Sequence, residues 1–120
     1  MRTARYFCER EFGACTPACS MQDMEQRLLD KLDECRERAG IPFILNSAFR
    51  SEEYDRKKGR TTNSAHHRGL AVDVRATGSD VKYKIVEAAL TVGFRRIGVG
   101  ATFVHLDCDD SLPQDVIWTY

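Results

Sequence analysis

Apolar residues recur at steps of three and four through Met21, Met24, Leu28, Leu32 and Cys35, which places all five on one face of a helix. Ser20 has the character of an N-cap, with Asp23 three residues on as its capping-box acid, and Gly40 followed by Pro42 ends the run. A Met and Leu stripe of this kind is expected to be core. The pattern then shortens. Phe43 to Leu45 suits a strand, with a turn beginning at Asn46-Ser47. Ser51, with Glu52 and Glu53 in the first turn, opens a second, short helix. The stretch from Gly59 to Gly69 is polar and has no period, so a loop is expected there. Leu70 to Val74 alternates, with Leu70, Val72 and Val74 on one face and Ala71 and Asp73 on the other. Ser79 can cap a third helix that presents Val81, Ile85, Ala88 and Val92 before Gly93 stops it. Ile97 to Val99 and Phe103 to Asp107 fit two further strands around a Gly-containing turn. Residues 1–19 lack periodicity and are expected to wrap the core as loops. Leu112 to Tyr120 is too short to assign, and Trp118 and Tyr120 there fit a packed tail or an aromatic wall for a substrate. The alternation of helices with short strands predicts an α+β fold, a small antiparallel sheet with helices packed around it, in a single domain over residues 1–120.

Composition narrows the function classes. Eighteen basic residues balance eighteen acidic ones in 120, so the broad positive face that nucleic-acid binding needs is not expected. Arg56, Lys57, Lys58 and Arg60 form a local basic cluster whose ordinary role is a solvated helix end. No stretch approaches the roughly 18 apolar residues that cross a bilayer, and no membrane association is expected. Met1 to Glu11 lacks the apolar core of a secretory signal, so synthesis in the cytoplasm is expected. Five cysteines, Cys8, Cys15, Cys19, Cys35 and Cys108, are an odd count, and reduced thiols fit better than a disulfide framework.

The candidate chemistry lies around the three histidines. His66 precedes Asp73 by seven residues, and a loop curling back at Gly69 can bring the ring to a carboxylate projecting from the strand. His105 lies in the next-to-last apolar run, on the face shared by Phe103 and Asp107. Two imidazoles and one carboxylate form a good ligand set for catalytic zinc, with a fourth position left for water. Arg50 can clamp a carboxylate or stabilise an oxyanion. A surface salt bridge to Glu52 or Glu53 is its plain alternative.

Ser64-Ala65-His66-His67-Arg68-Gly69-Leu70-Ala71-Val72-Asp73 follows the pattern S-x-H-x-x-G-x-A-x-D. Together with Ser47-Ala48-Phe49-Arg50-Ser51 upstream and His105-Leu106-Asp107 downstream, it resembles the zinc D-alanyl-D-alanine carboxypeptidases and related phage endolysins. Their zinc-binding fold is shared by hedgehog signalling domains. The resemblance runs from about Pro42 to Asp107. It implies that His66, Asp73 and His105 bind zinc and that Arg50 and Ser64 contact substrate. His67 departs from the ligand spacing and is expected to point away or line the cleft rim. Many relatives place an acid three residues before the last histidine, or a histidine two before it; Thr102 and Phe103 stand there in this chain. Asp107 is then a candidate for the general base, or for a partner that orients His105.

The expectation is a zinc peptidase that cuts a peptide bond in the stem of bacterial peptidoglycan, working as a monomer on the wall after release by another agent. The alternative is a zinc-containing binding module of the same fold without catalysis. A His-based metal nuclease is a poorer third, for want of a basic surface.

Overall fold

The computed structural model describes residues 1–60 and 63–120. Four helices, α1 (Glu9–Gly13), α2 (Gln26–Ala39), α3 (Glu52–Lys57) and α4 (Ser79–Val92), accompany five strands. The strands are β1 (Leu45–Ser47), β2 (Ala71–Arg75), β3 (Arg96–Val99), β4 (Phe103–Asp107) and β5 (Val116–Thr119). They form one sheet in the order β1-β2-β4-β3-β5. Neighbours are antiparallel except β5, which runs parallel to β3. The α+β expectation holds, and the sheet is mixed instead of wholly antiparallel.

The apolar stripes are core, as expected, although Met21 and Met24 precede the helix that carries the rest. Met21, Met24, Leu28, Leu32 and Cys35 are all buried in one cluster with Ile85, Ala88 and Ala89 of α4. Val72, Val74, Ile97, Val104 and Leu106 join that cluster, so one sheet face is closed by the two long helices. Leu70, expected on the same face, lies instead beside Ala65 and Ala71 in a smaller cluster. Gly40 and Gly93 end α2 and α4 in the left-handed conformation. Ser51 caps α3 by accepting from the Tyr54 amide, as expected.

Several local expectations are displaced, each for a tertiary reason. Ser20 and Asp23 do form a capping box, but it closes a short 3-10 turn (Met21–Asp23), and α2 starts only at Gln26. The chain is extended at Met24 because outside groups satisfy its backbone: Arg2 donates to the Met24 carbonyl, and the Glu25 amide donates to the Gly69 carbonyl. Strand β1 lies two residues later than the apolar run suggests, and takes up Asn46 and Ser47 because they pair against β2. Glu9–Gly13 is helical where loops were expected, anchored by buried Phe12. Gly78, not Ser79, occupies the N-cap position of α4. The predicted loop from Gly59 contains a second 3-10 turn (Ala65–Arg68), while residues 61 and 62 of it lie outside the described set.

The sheet face away from α2 and α4 positions the site. Directly opposed residues on neighbouring strands project from the same face. Ser47, Asp73, His105, Gly98 and Trp118 therefore make one row across all five strands. Ala71, Asp107, Arg96 and Val116 make the next.

Candidate metal centre

His66 is delivered to the row by the 3-10 turn that follows Ser64. The Ser64 hydroxyl accepts from the His66 amide at 3.2 Å, and the Arg50 amide holds the His66 carbonyl at 3.2 Å. Gly69 then reverses the chain with φ 70°. A Cβ on it would meet the backbone of Met24 at 3.1 Å and Glu25 at 3.2 Å, so the turn needs glycine twice over.

Three ligand atoms converge above the strands. His66 Nε2 lies 3.2 Å from His105 Nδ1 and 3.4 Å from Asp73 Oδ1, and His105 Nδ1 lies 3.0 Å from the same oxygen. Each ring is fixed from behind. His66 Nδ1 faces the Ala48 carbonyl at 2.6 Å, and His105 Nε2 faces Asp107 Oδ2 at 2.7 Å. A carbonyl and a carboxylate only accept, so those ring nitrogens carry the protons. The lone pairs of His66 Nε2 and His105 Nδ1 therefore point at each other and at the Asp73 carboxylate. Nothing in that triangle donates when both rings are neutral.

Such an arrangement calls for a positive charge at its centre. The two rings differ in their titration tendencies. Burial works to lower His105, yet hydrogen bonds to Asp107 and Asp73 raise it above the ordinary histidine value. Burial lowers His66, although Asp73 opposes it. Burial works to raise Asp73, but its bonds to His105 and His66 hold it well below the usual carboxylate range. His66, Asp73 and His105 are also the residues, among those described, whose donor atoms come close enough together to hold a metal ion. The donor set fits a divalent cation with nitrogen and oxygen ligands.

The sequence-predicted residues around this cluster are placed as follows. Arg50 reaches it from one side, with Nη1 3.7 Å from Asp73 Oδ2. Its Nε is 3.0 Å from Asp55 Oδ1 and its Nη1 donates to Ser47 Oγ at 3.1 Å, so its partner is Asp55 and not Glu52 or Glu53. Ser64 lines the cleft beside His66. His67 turns away from the ligands and bonds Asp55 Oδ2 at 2.7 Å. Asp107 sits behind His105, on the ring nitrogen remote from the cluster. Its other oxygen takes Arg96 Nε at 2.8 Å and the Asp109 amide at 3.1 Å, so both oxygens are engaged.

Three contributors were missed. Asp55 is buried and gathers Arg50, Arg60 and His67, while Arg96 is half-hidden beside Asp107. Sequence spacing carries no signal for either, because their partners arrive from other elements. Strand β5 is the third, although the aromatic wall made by Trp118 and Tyr120 is one of the two roles expected of them. It sets the Trp118 ring 5.4 Å from the His105 ring and the Tyr120 ring 4.9 Å from Phe103. These aromatics wall a cleft of about 530 Å³ whose opposite side is Arg50, Asp55, Arg60 and Ser64.

Two histidines and a carboxylate, each ring braced by an acceptor, at the floor of an open cleft define a metallohydrolase-type site. The family model of Peptidase M15 matches residues 6–107, most of the chain, and the chain belongs to that family. No curated protein matches it. The family match spans the three ligands, Arg50, Ser64 and Asp107, and ends before β5.

Proposed function

We propose that this chain is a zinc peptidase hydrolysing a peptide bond in the stem peptide of bacterial peptidoglycan. One observation carries the proposal: the lone pairs of His66 Nε2 and His105 Nδ1 and the Asp73 carboxylate converge on one point at the floor of the cleft. Membership of Peptidase M15 supports the reaction class, and the three-part motif resemblance supports the substrate.

When bound, zinc supplies Lewis acidity toward the scissile carbonyl and lowers the pKa of water to about 7. The chain's residues supply position and charge. Asp107 holds the His105 ring by accepting its Nε2 proton, and Arg96 with the Asp109 amide holds Asp107. With both oxygens committed, Asp107 serves as a positioning residue, the second of the two roles open to it. Arg50, braced by Asp55 and Ser47, keeps a cation beside Asp73 where negative charge grows on the substrate oxygen. Ser64, which lines the cleft, contacts the substrate in this reading. This reading also takes the protein as a monomer that needs neither nucleic acid nor membrane. Made in the cytoplasm, it reaches the wall after release, as a phage lysis enzyme does.

A second reading has one specific observation behind it. The cleft carboxylates Asp55 and Asp107 both have their oxygens bonded to neighbouring groups, as a zinc-binding module without turnover would allow. Digestion of purified peptidoglycan with zinc-loaded protein separates the two. New stem-peptide fragments support the peptidase; zinc retained with no fragments supports the module.

A further inference from the structure

The cluster has a cation, Arg50, on its β2 side. On its β3 side the row across the sheet reads His105, Gly98, Trp118. Gly98 leaves the space above the strand empty of its own atoms. A Cβ there would lie 2.7 Å from Trp118 Nε1 and 2.8 Å from the Tyr120 hydroxyl oxygen. The side chains of Trp118 in β5 and of Tyr120 just past its end thus fold down over Gly98, next to His105 and facing the same cleft. Phe103 braces the Tyr120 ring from the neighbouring row, and the Trp118 ring stands edge-on to it at 6.5 Å.

This arrangement assigns the hydroxyl proton a direction by elimination. The phenol makes no hydrogen bond to a protein acceptor among the described residues, and it lines the cleft. Its own O–H is therefore available to the cleft. Asp55 and Asp107 accept hydrogen bonds on both oxygens, and the Ser47 hydroxyl oxygen accepts from Arg50. A phenol is more acidic than a serine or threonine hydroxyl and can donate a hydrogen bond to developing charge.

Building on the peptidase reading, we infer that Tyr120 is a catalytic residue whose hydroxyl donates a hydrogen bond to the scissile carbonyl oxygen as it becomes negative, across the metal site from Arg50. No proton is transferred in this step; the O–H bond stays intact and the hydrogen bond strengthens as charge develops. Trp118 and Gly98 act through it, one by packing beside the Tyr120 ring and the other by leaving room for it. Tyr120 and Trp118 lie beyond residues 6–107, so this donor is an addition to what the family match covers.

The test is Tyr120→Phe in the full chain, assayed on soluble stem-peptide fragments of peptidoglycan with zinc content measured for each sample. A donor that acts only in the transition state should cost kcat about 10- to 100-fold and leave KM within about twofold. Trp118 is the chain's one tryptophan, so its fluorescence reports whether the β5 ledge is intact in the variant. Unchanged zinc content and fluorescence with the kcat loss support the inference. Wild-type turnover with an undiminished kcat in Tyr120→Phe, or a loss confined to KM, overturns it alone. A zinc-loaded wild type that releases no fragment removes the peptidase reading and this inference with it.

Discussion

His105 Nε2 lies 2.7 Å from Asp107 Oδ2, and this contact turns the other ring nitrogen, with its lone pair, toward His66 and Asp73. The pair converts two residues of one strand into a ligand and its support. Arg96 completes the support from β3, bonded to Asp107 at 2.8 Å and to the Pro113 carbonyl at 2.7 Å.

Removing Asp107 should therefore weaken the metal more than it weakens substrate binding. Loss of an outer partner of this kind costs about 10- to 100-fold in metal affinity. It also leaves the largely buried Arg96 without its carboxylate, at about 3 kcal/mol of stability. Asp107→Ala should show both effects, in chelator competition for zinc and in denaturant unfolding. Wild-type zinc affinity in the variant would remove the positioning role.

Metal removal should be visible in stability as well as in activity. Three acceptors facing one another are a cost to the fold that a cation relieves. Free zinc at about 100 times Kd should stabilise the chain by about 2.7 kcal/mol relative to chelated protein. His66→Ala should show little of that shift. A thermal midpoint indifferent to zinc in the wild type contradicts the proposed site.

Gly69→Ala tests the turn that delivers His66. The residue sits at φ 70° against the backbone of Asp23 to Glu25, and the Glu25 amide bonds its carbonyl at 2.9 Å. Strain at such a position costs about 1–3 kcal/mol, and the close backbone contact places this one at the upper end. Denaturant midpoints of the two proteins check it, with equal stability as the contrary outcome.

Asp55 predicts an acid limb. Burial works to raise its pKa, but bonds from His67, Arg60 and Arg50 hold it below the usual carboxylate value. A lowered folded-state pKa contributes stability that is full above the unfolded value of about 3.9 and is lost as pH falls through the folded one. Asp55→Asn should thus be less stable than wild type at neutral pH, with the gap closing below about pH 4. Unfolding midpoints across pH 2 to 7 measure it. A gap that stays constant with pH contradicts the linkage.

The legibility of this fold in its sequence tracks the range of the interactions. Leu28, Leu32 and Cys35 pack α2 because helical spacing alone puts them on one face, and Ser51 caps α3 through a neighbour three residues away. The alternation around Asp73 shows which way its carboxylate points, and the motif sets His66 and His105 beside it. What stayed hidden depends on partners distant along the chain or set at no regular spacing. The break at Met24 follows from Arg2 and Gly69; Asp55 lies only five residues from Arg50 and twelve from His67, but no regular period links them. Strand β5 has mostly exposed residues and no alternation; its parallel pairing to β3 makes it a strand and turns Trp118 and Tyr120 into a wall of the cleft.

The most direct measurement is mass spectrometry of peptidoglycan fragments after digestion, with metal content determined on the same protein samples, for the wild type and His66→Ala. The account predicts one zinc per chain and newly cut stem peptides from the wild type, and neither from the variant. Zinc-loaded wild type that leaves the peptides uncut, or undiminished cutting by His66→Ala, would contradict it.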